Sequence, residues 1–212
     1  MRALFKTDLK FDWKIVTITI VSTILLIVDY YMFHSERWGQ DPVWLVVDSP
    51  ILYFIIPMFI ILVIFRESPR DYGFTLGDWR AGLVLTVGGI LLMAPVLYFL
   101  NRSNASMQDY YGYVAVGLPW NTLADLFGWE FFFRGWILFG YARKFGPESL
   151  WLQAVPFALA HNGKPAVETF STIFGGFLFG WVAYRTKSFI YPLLIHWFVA
   201  SFTILVAAGL IG

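Results

Sequence analysis

The chain has 212 residues, 58% of them hydrophobic and 14% charged, whereas soluble domains run at about 45–50% apolar and about 25% charged. An ordinary cytosolic globule is therefore excluded. A net charge of +1 leaves no basic excess to hold a phosphate backbone, which excludes nucleic acid as a partner, and the absence of cysteine removes disulfides, thiol nucleophiles and Cys-bound zinc together.

A bilayer offers backbone amides no partner, so each crossing needs roughly 20 mostly apolar residues that bond internally as a helix. The expected fold is all-α: one polytopic transmembrane helical bundle spanning 1–212, with about seven crossings. The first crossing covers 13–33 and reads as an anchor. It is longer than a signal h-region and ends Asp-Tyr-Tyr-Met-Phe-His, with no run of small residues for cleavage. Segment 34–42 is a loop. The second crossing, 43–65, carries Pro50 and Pro57, and a loop follows at 66–80. The third covers 81–100, and segment 101–119 is the longest loop. The fourth covers 121–141. The fifth, 149–161, is short enough that its polar end needs shelter from protein. The last two are 167–184 and 189–211.

Lys and Arg placement orients this map. With the N-terminus in the cytoplasm, eleven of the 15 basic residues fall inside, three (Arg37, Arg102 and Lys164) fall outside, and Arg134 lies within a crossing. Cytoplasmic loops carry that excess in membrane proteins. The N-terminus is therefore expected inside and the C-terminus outside.

Charged and imidazole groups within the crossings each need a reason, because a charge at the bilayer centre costs about 2.5–3.5 kcal/mol on insertion scales. Asp29 ends the first crossing, where interfacial solvation is explanation enough. Asp125 lies near the outer end of the fourth, with packing or a water contact as its default role. Glu130 and Arg134 are four apart, so they share a helix face with the carboxylate in the favourable N-terminal position. They read either as a buried ion pair that fixes packing or as a carboxylate held for chemistry. His161 closes the fifth crossing and His196 lies about two turns into the seventh; two imidazoles can converge on a water or on a metal. Glu168 opens the sixth crossing, as a helix-dipole partner or as a second site carboxylate. Gly175, Gly176 and Gly180 have the small-residue spacing of a close helix contact.

Three stretches taken in order resemble the CPBP family of CAAX-protease and bacteriocin-processing intramembrane endopeptidases, also called the Abi family. They are Trp129-Glu130-Phe131-Phe132-Phe133-Arg134 followed by Gly135, then Phe157-Ala158-Leu159-Ala160-His161, then His196-Trp197-Phe198-Val199-Ala200. The resemblance covers about 119–204 and departs from the family at two positions. Trp129 stands where the family has the Glu taken to activate water, and Ala200 stands where it has Asn or Asp.

The resemblance implies an intramembrane endopeptidase, under a glutamate-protease or a metalloprotease description. Its substrates would be CAAX-type proteins or other small peptides. Glu130 is then the candidate base, oriented by Arg134, with Glu168 as its rival. His161 and His196 stabilise the oxyanion or hold the water, and they are the ligands if a divalent metal such as zinc is bound. The expected partners are a protein or peptide substrate and the lipid bilayer, in a bacterial inner membrane; the oligomeric state is left open. The alternative is a degenerate member that keeps the cavity for peptide binding or bacteriocin immunity, and a small transporter is a third reading.

Overall fold

The structure is a computed structural model, and it describes residues 9–34, 48–112 and 118–211. The loop expected from residue 35 to 42 and the start of the second crossing at Val43 lie outside the described residues, as do Arg2, Lys6 and Arg37. Every regular element among the described residues is helical.

Helix α1 (Trp13–Val28) begins where the Asp12 carboxylate accepts the amides of Lys14 and Ile15. Two of the four donors that a helix start leaves open are thereby satisfied. The winding continues, wider, through Asp29–His34. Helix α2 (Pro50–Phe65) opens on Pro50, where the missing amide costs nothing. It passes Pro57 in a short α-helical stretch, Ile56–Phe59, between two wider windings. Helix α3 (Trp79–Ser103) is capped by the Asp78 side chain, which accepts from Ala81 N–H. The remaining helices are α4 (Ala105–Tyr111), α5 (residues 120–145, wound wider over Phe131–Phe139), α6 (Ser149–Leu159), α7 (Ala166–Thr186) and α8 (Ile190–Ala207).

Two differences from the expected map have local causes. The presumed loop 101–119 contains α4. Asn104 adopts an extended conformation that ends α3, and its side chain then accepts from Met107 N–H to start the next helix. Met107 and Tyr111, one turn apart, bury against Ile204 and Ala207 of α8. The presumed loop 66–80 contains a tight turn, Pro69–Tyr72, capped by Ser68.

The seven helical segments expected are present, but by length and composition four of the described helices suffice to cross a membrane: Trp13–Tyr31, Trp79–Ser103, Ala166–Thr186 and Ile190–Ala207. Helix α2 is shorter, α6 has only 11 residues, and α5 carries Glu130 and Arg134. Of these three, α5 forms the interior, while α2 and α6 keep exposed outer faces, with Phe59 57% and Leu159 61% exposed. Every residue of α5 from 131 to 140 is buried. Outer positions on α3 and α7 are bare, with Val84 72% and Phe170 71% exposed. A helix buried all round is wrapped by its neighbours, and apolar faces of that size belong against lipid.

The main core joins Tyr53 and Ile61 of α2, Phe131, Phe132, Phe133 and Trp136 of α5, Phe157 of α6, and Phe189 and Leu193 around the start of α8. Helices α6 and α7 approach closely because Gly176 and Gly180 are bare. A methyl at Gly176 would sit 2.9 Å from the Phe157 ring, and one at Gly180 would sit 2.5 Å from the Gln153 amide. Gly175 meets nothing within 4 Å, so the contact uses two of the three glycines singled out by spacing.

At one end of the bundle Glu67 gathers three elements. Its carboxylate accepts from Lys14 Nζ at the start of α1, from Tyr72 OH at 2.7 Å, and from Arg143 Nη1 of α5 at 2.6 Å. Burial works against the charge, but these donors outweigh it and hold the carboxyl at about 2, below its ordinary 4.5. Asp29, expected to be solvated, is instead buried, and the helical winding continues past it.

Candidate active site

The central feature is the point on α5 where ordinary α-helix gives way to the wider winding, immediately after Glu130. Such local widening recurs at functional sites. Glu130 and Arg134 are both fully buried, and Arg134 Nη1 donates to Glu130 Oε1 at 3.1 Å. The same Oε1 lies 2.6 Å from His196 Nδ1 on α8. One carboxylate oxygen therefore joins a guanidinium from its own helix to an imidazole from another, 66 residues away.

These bonds assign the tautomers. A carboxylate only accepts, so His196 Nδ1 carries the hydrogen and donates it. His161 behaves alike: its Nδ1 is 2.8 Å from the carbonyl oxygen of Phe157, which likewise only accepts. In the neutral form each histidine keeps its lone pair on Nε2. Two basic nitrogens result, each oriented by a bond to the opposite side of its ring.

Phe157 is the surface on which the site is assembled. Its ring lies 4.6 Å from the His161 ring, 5.9 Å from that of His196 and 4.0 Å from the Arg134 guanidinium. Phe179 of α7 lies 5.1 Å from His196 and 5.2 Å from Arg134. The cation is therefore desolvated against ring faces, where cation–π attraction is strongest. Trp129 sits edge-on to His161 at 5.6 Å and is 6% exposed. Ala200 packs against the main core with its methyl group alone.

Among the described residues, four polar atoms of this cluster are buried without a hydrogen-bond partner: Glu130 Oε2, Arg134 Nε, Arg134 Nη2 and Trp129 Nε1. Buried polar groups left unmatched cost about 1–3 kcal/mol each. Four of them on consecutive turns of one helix form a place where a polar molecule gains unusually strong bonds.

Of the residues singled out in the sequence, Glu130, Arg134, His161 and His196 come together around Phe157. Glu168 is bonded elsewhere. It accepts from Tyr111 OH at 2.6 Å and from Lys164 Nζ at 3.0 Å, and no hydrogen bond joins it to the other four. Its neighbour Thr169 donates a hydroxyl hydrogen to the His161 carbonyl, and its ion-pair partner Lys164 donates a backbone amide to the same oxygen. The Asp125 carbonyl accepts from the Ser49 hydroxyl. Phe157 and Phe179 escaped the sequence reading because aromatic residues at helical spacing normally denote core. Phe157 did stand in a quoted motif, but there it only marked the distance to His161.

The cluster does not suit a metal ion. Among the described residues no three His, Cys, Asp or Glu side chains are grouped to hold one, whereas protein zinc sites draw on three or four. Glu130 Oε1, the donor nearest His196, is already shared with a guanidinium cation.

Residues 110–202 match the family model for type II CAAX prenyl endopeptidases of the Rce1-like kind. All five residues of the Glu130–His196 cluster and its Phe157 platform fall inside that match. No curated protein and no solved structure matches the chain.

Proposed function

The core of this chain belongs to the type II CAAX prenyl endopeptidase family, and on that premise we propose that it hydrolyses peptide bonds within the membrane, with His196 as the base and Glu130 as the group that positions it. The observation carrying this reading is the 2.6 Å bond between Glu130 Oε1 and His196 Nδ1. With Nδ1–H donated to the carboxylate, Nε2 is free to take a proton from water. The resulting imidazolium is stabilised by the negative charge behind it, as in a carboxylate–histidine pair.

The sequence alone put the base at Glu130, with the histidines assisting. A carboxylate oxygen already shared between Arg134 and His196 is a poorer proton acceptor than the imidazole it orients. Water deprotonated at His196 Nε2 attacks the scissile carbonyl carbon, and the carbonyl oxygen becomes an oxyanion. The unpartnered Arg134 and Trp129 N–H groups are the donors for that charge in a site closed to bulk water. Collapse of the tetrahedral species breaks the C–N bond, and the imidazolium returns its proton to the leaving amine. His161, whose ring also packs on Phe157, is the second hydrogen-bonding group for the water. A C-terminal prenylated peptide suits this site because the lipid tail can remain in the bilayer while the peptide reaches the bundle.

A second reading, a peptide-binding or immunity protein without hydrolysis, is favoured by the apolar side chains at Trp129 and Ala200. The test is cleavage of prenylated and unprenylated CAAX peptides by purified protein in nanodiscs, compared with His196→Ala, His161→Ala and Glu130→Gln. Cleavage by wild type, lost in His196→Ala and Glu130→Gln, is the expected result. Cleavage that survives in both of these variants rejects the site. Peptide binding with no cleavage by any form supports the second reading.

A further inference from the structure

Away from this site, the start of α3 meets the end of α7. The Asp78 amide donates to the Thr186 carbonyl at 2.8 Å, and Arg185 Nη1 donates to Asp78 Oδ2 at 2.8 Å. The two helices therefore run antiparallel here, and between them lies a groove of about 380 Å³ lined by Arg80, Ala81, Val84, Leu85, Trp181 and Arg185.

Its chemistry is layered along the helix axes. Arg80 and Arg185, one from each helix, stand at the same end. Four residues deeper on α3 comes Val84, and four residues deeper on α7 comes Trp181; at 1.5 Å per residue each lies about 6 Å from its arginine. The groove is thus cationic at its mouth and apolar beyond it. Val84 and Trp181 are 72% and 41% exposed, so none of the described residues fills it. Arg80 lies 5.5 Å over its neighbour Trp79 and makes no ion pair among the described residues. The Arg185–Asp78 pair is exposed on both sides, so water already competes for it and an incoming anion can share the guanidinium. Asp78 is the acidic group at this mouth, and its carboxylate is committed to capping α3 and to Arg185.

We propose that this groove binds one anionic phospholipid, its phosphate between Arg80 and Arg185 and an acyl chain along Val84, Leu85 and Trp181. Two guanidiniums complement a phosphodiester whose single negative charge no headgroup cation offsets, and an indole at this depth suits the interface between headgroup and chain. A soluble phosphate would gain the arginines alone and lose the apolar half. Phosphatidylglycerol is therefore the occupant to which the geometry commits. The site is independent of the Glu130–His196 cluster and of any hydrolysis.

Native mass spectrometry of the purified protein, offered equimolar phosphatidylglycerol and phosphatidylcholine, tests this, with glycerol phosphate as a soluble control. Each basic residue near a lipid surface is worth about fivefold in binding, so wild type should retain one phosphatidylglycerol at least about fivefold over phosphatidylcholine and retain no glycerol phosphate. The Arg80→Gln/Arg185→Gln variant should lose that preference. Val84→Trp, at an exposed position that leaves the fold untouched, should lose the bound lipid by filling the groove. Equal retention of the two lipids by wild type, or an undiminished preference in the double arginine variant, overturns the proposal. Retention of phosphatidylglycerol by Val84→Trp overturns the placement of the chain.

Discussion

Glu67 and Glu130 are both glutamates that bind an arginine and a further side chain across the bundle, yet they differ in how completely they are satisfied. Glu67 lies at the end of the bundle and uses both oxygens: Oε1 accepts from Lys14, and Oε2 from Tyr72 and Arg143. Glu130 is fully buried, concentrates Arg134 and His196 on Oε1, and leaves Oε2 without a partner. A structural clasp completes its hydrogen bonds where water can assist. A site keeps some unmade where only a substrate or a reacting water can complete them. Glu168 belongs with the first kind, held by Tyr111 and Lys164.

The contrast breaks most severely at His196. Replacing it with Ala removes the proposed proton acceptor, and cleavage should fall by about 10²–10⁴-fold while the protein stays folded, as read by peptide cleavage beside a thermal melt. Arg134→Met strands the Glu130 charge in the interior and should cost about 3–5 kcal/mol of stability. The Glu130→Gln/Arg134→Met double variant should recover most of that loss in the same melting experiment without recovering cleavage. Separate recovery of the two properties distinguishes a charge kept for packing from one kept for chemistry.

At Glu67 the effects should be small. Glu67→Gln should change stability by no more than about 1 kcal/mol and leave cleavage as it was. The pH dependence has a definite sign. The folded carboxyl sits at about 2 against an ordinary 4.5, so its contribution is complete above pH 4.5 and fades as pH falls toward 2. A melting series over that window should flatten in the variant. The smallest effect is expected for Glu168→Gln, whose cleavage rate should stay within about twofold of wild type. A loss as large as that of His196→Ala would instead return Glu168 to the role of base.

Much of this was legible in the chain itself. Apolar runs of helical length gave the all-α bundle, and four-residue spacing placed Glu130 beside Arg134 on one face. The cost of intramembrane histidines pointed to His161 and His196. What spacing cannot convey is which atom of one helix meets which atom of another, so the Glu130–His196 bond was out of reach, and with it the ground for proposing the imidazole as the base. Helix α4 went unread because a single Asn cap and the one-turn pair Met107 and Tyr111 were hidden in a polar segment. The interior position of α5 was equally hidden, since a run such as Phe131–Phe139 reads the same whether lipid or protein surrounds it.

The most direct measurement is the rate of cleavage of a prenylated CAAX peptide in nanodiscs, taken for wild type, Glu130→Gln, His196→Ala and the double variant. If the carboxylate acts through the imidazole, Glu130→Gln should slow cleavage on its own, and adding it to His196→Ala should cost nothing further. Full activity in Glu130→Gln, or losses that simply multiply in the double variant, would contradict the pairing of these two residues as the water-activating unit.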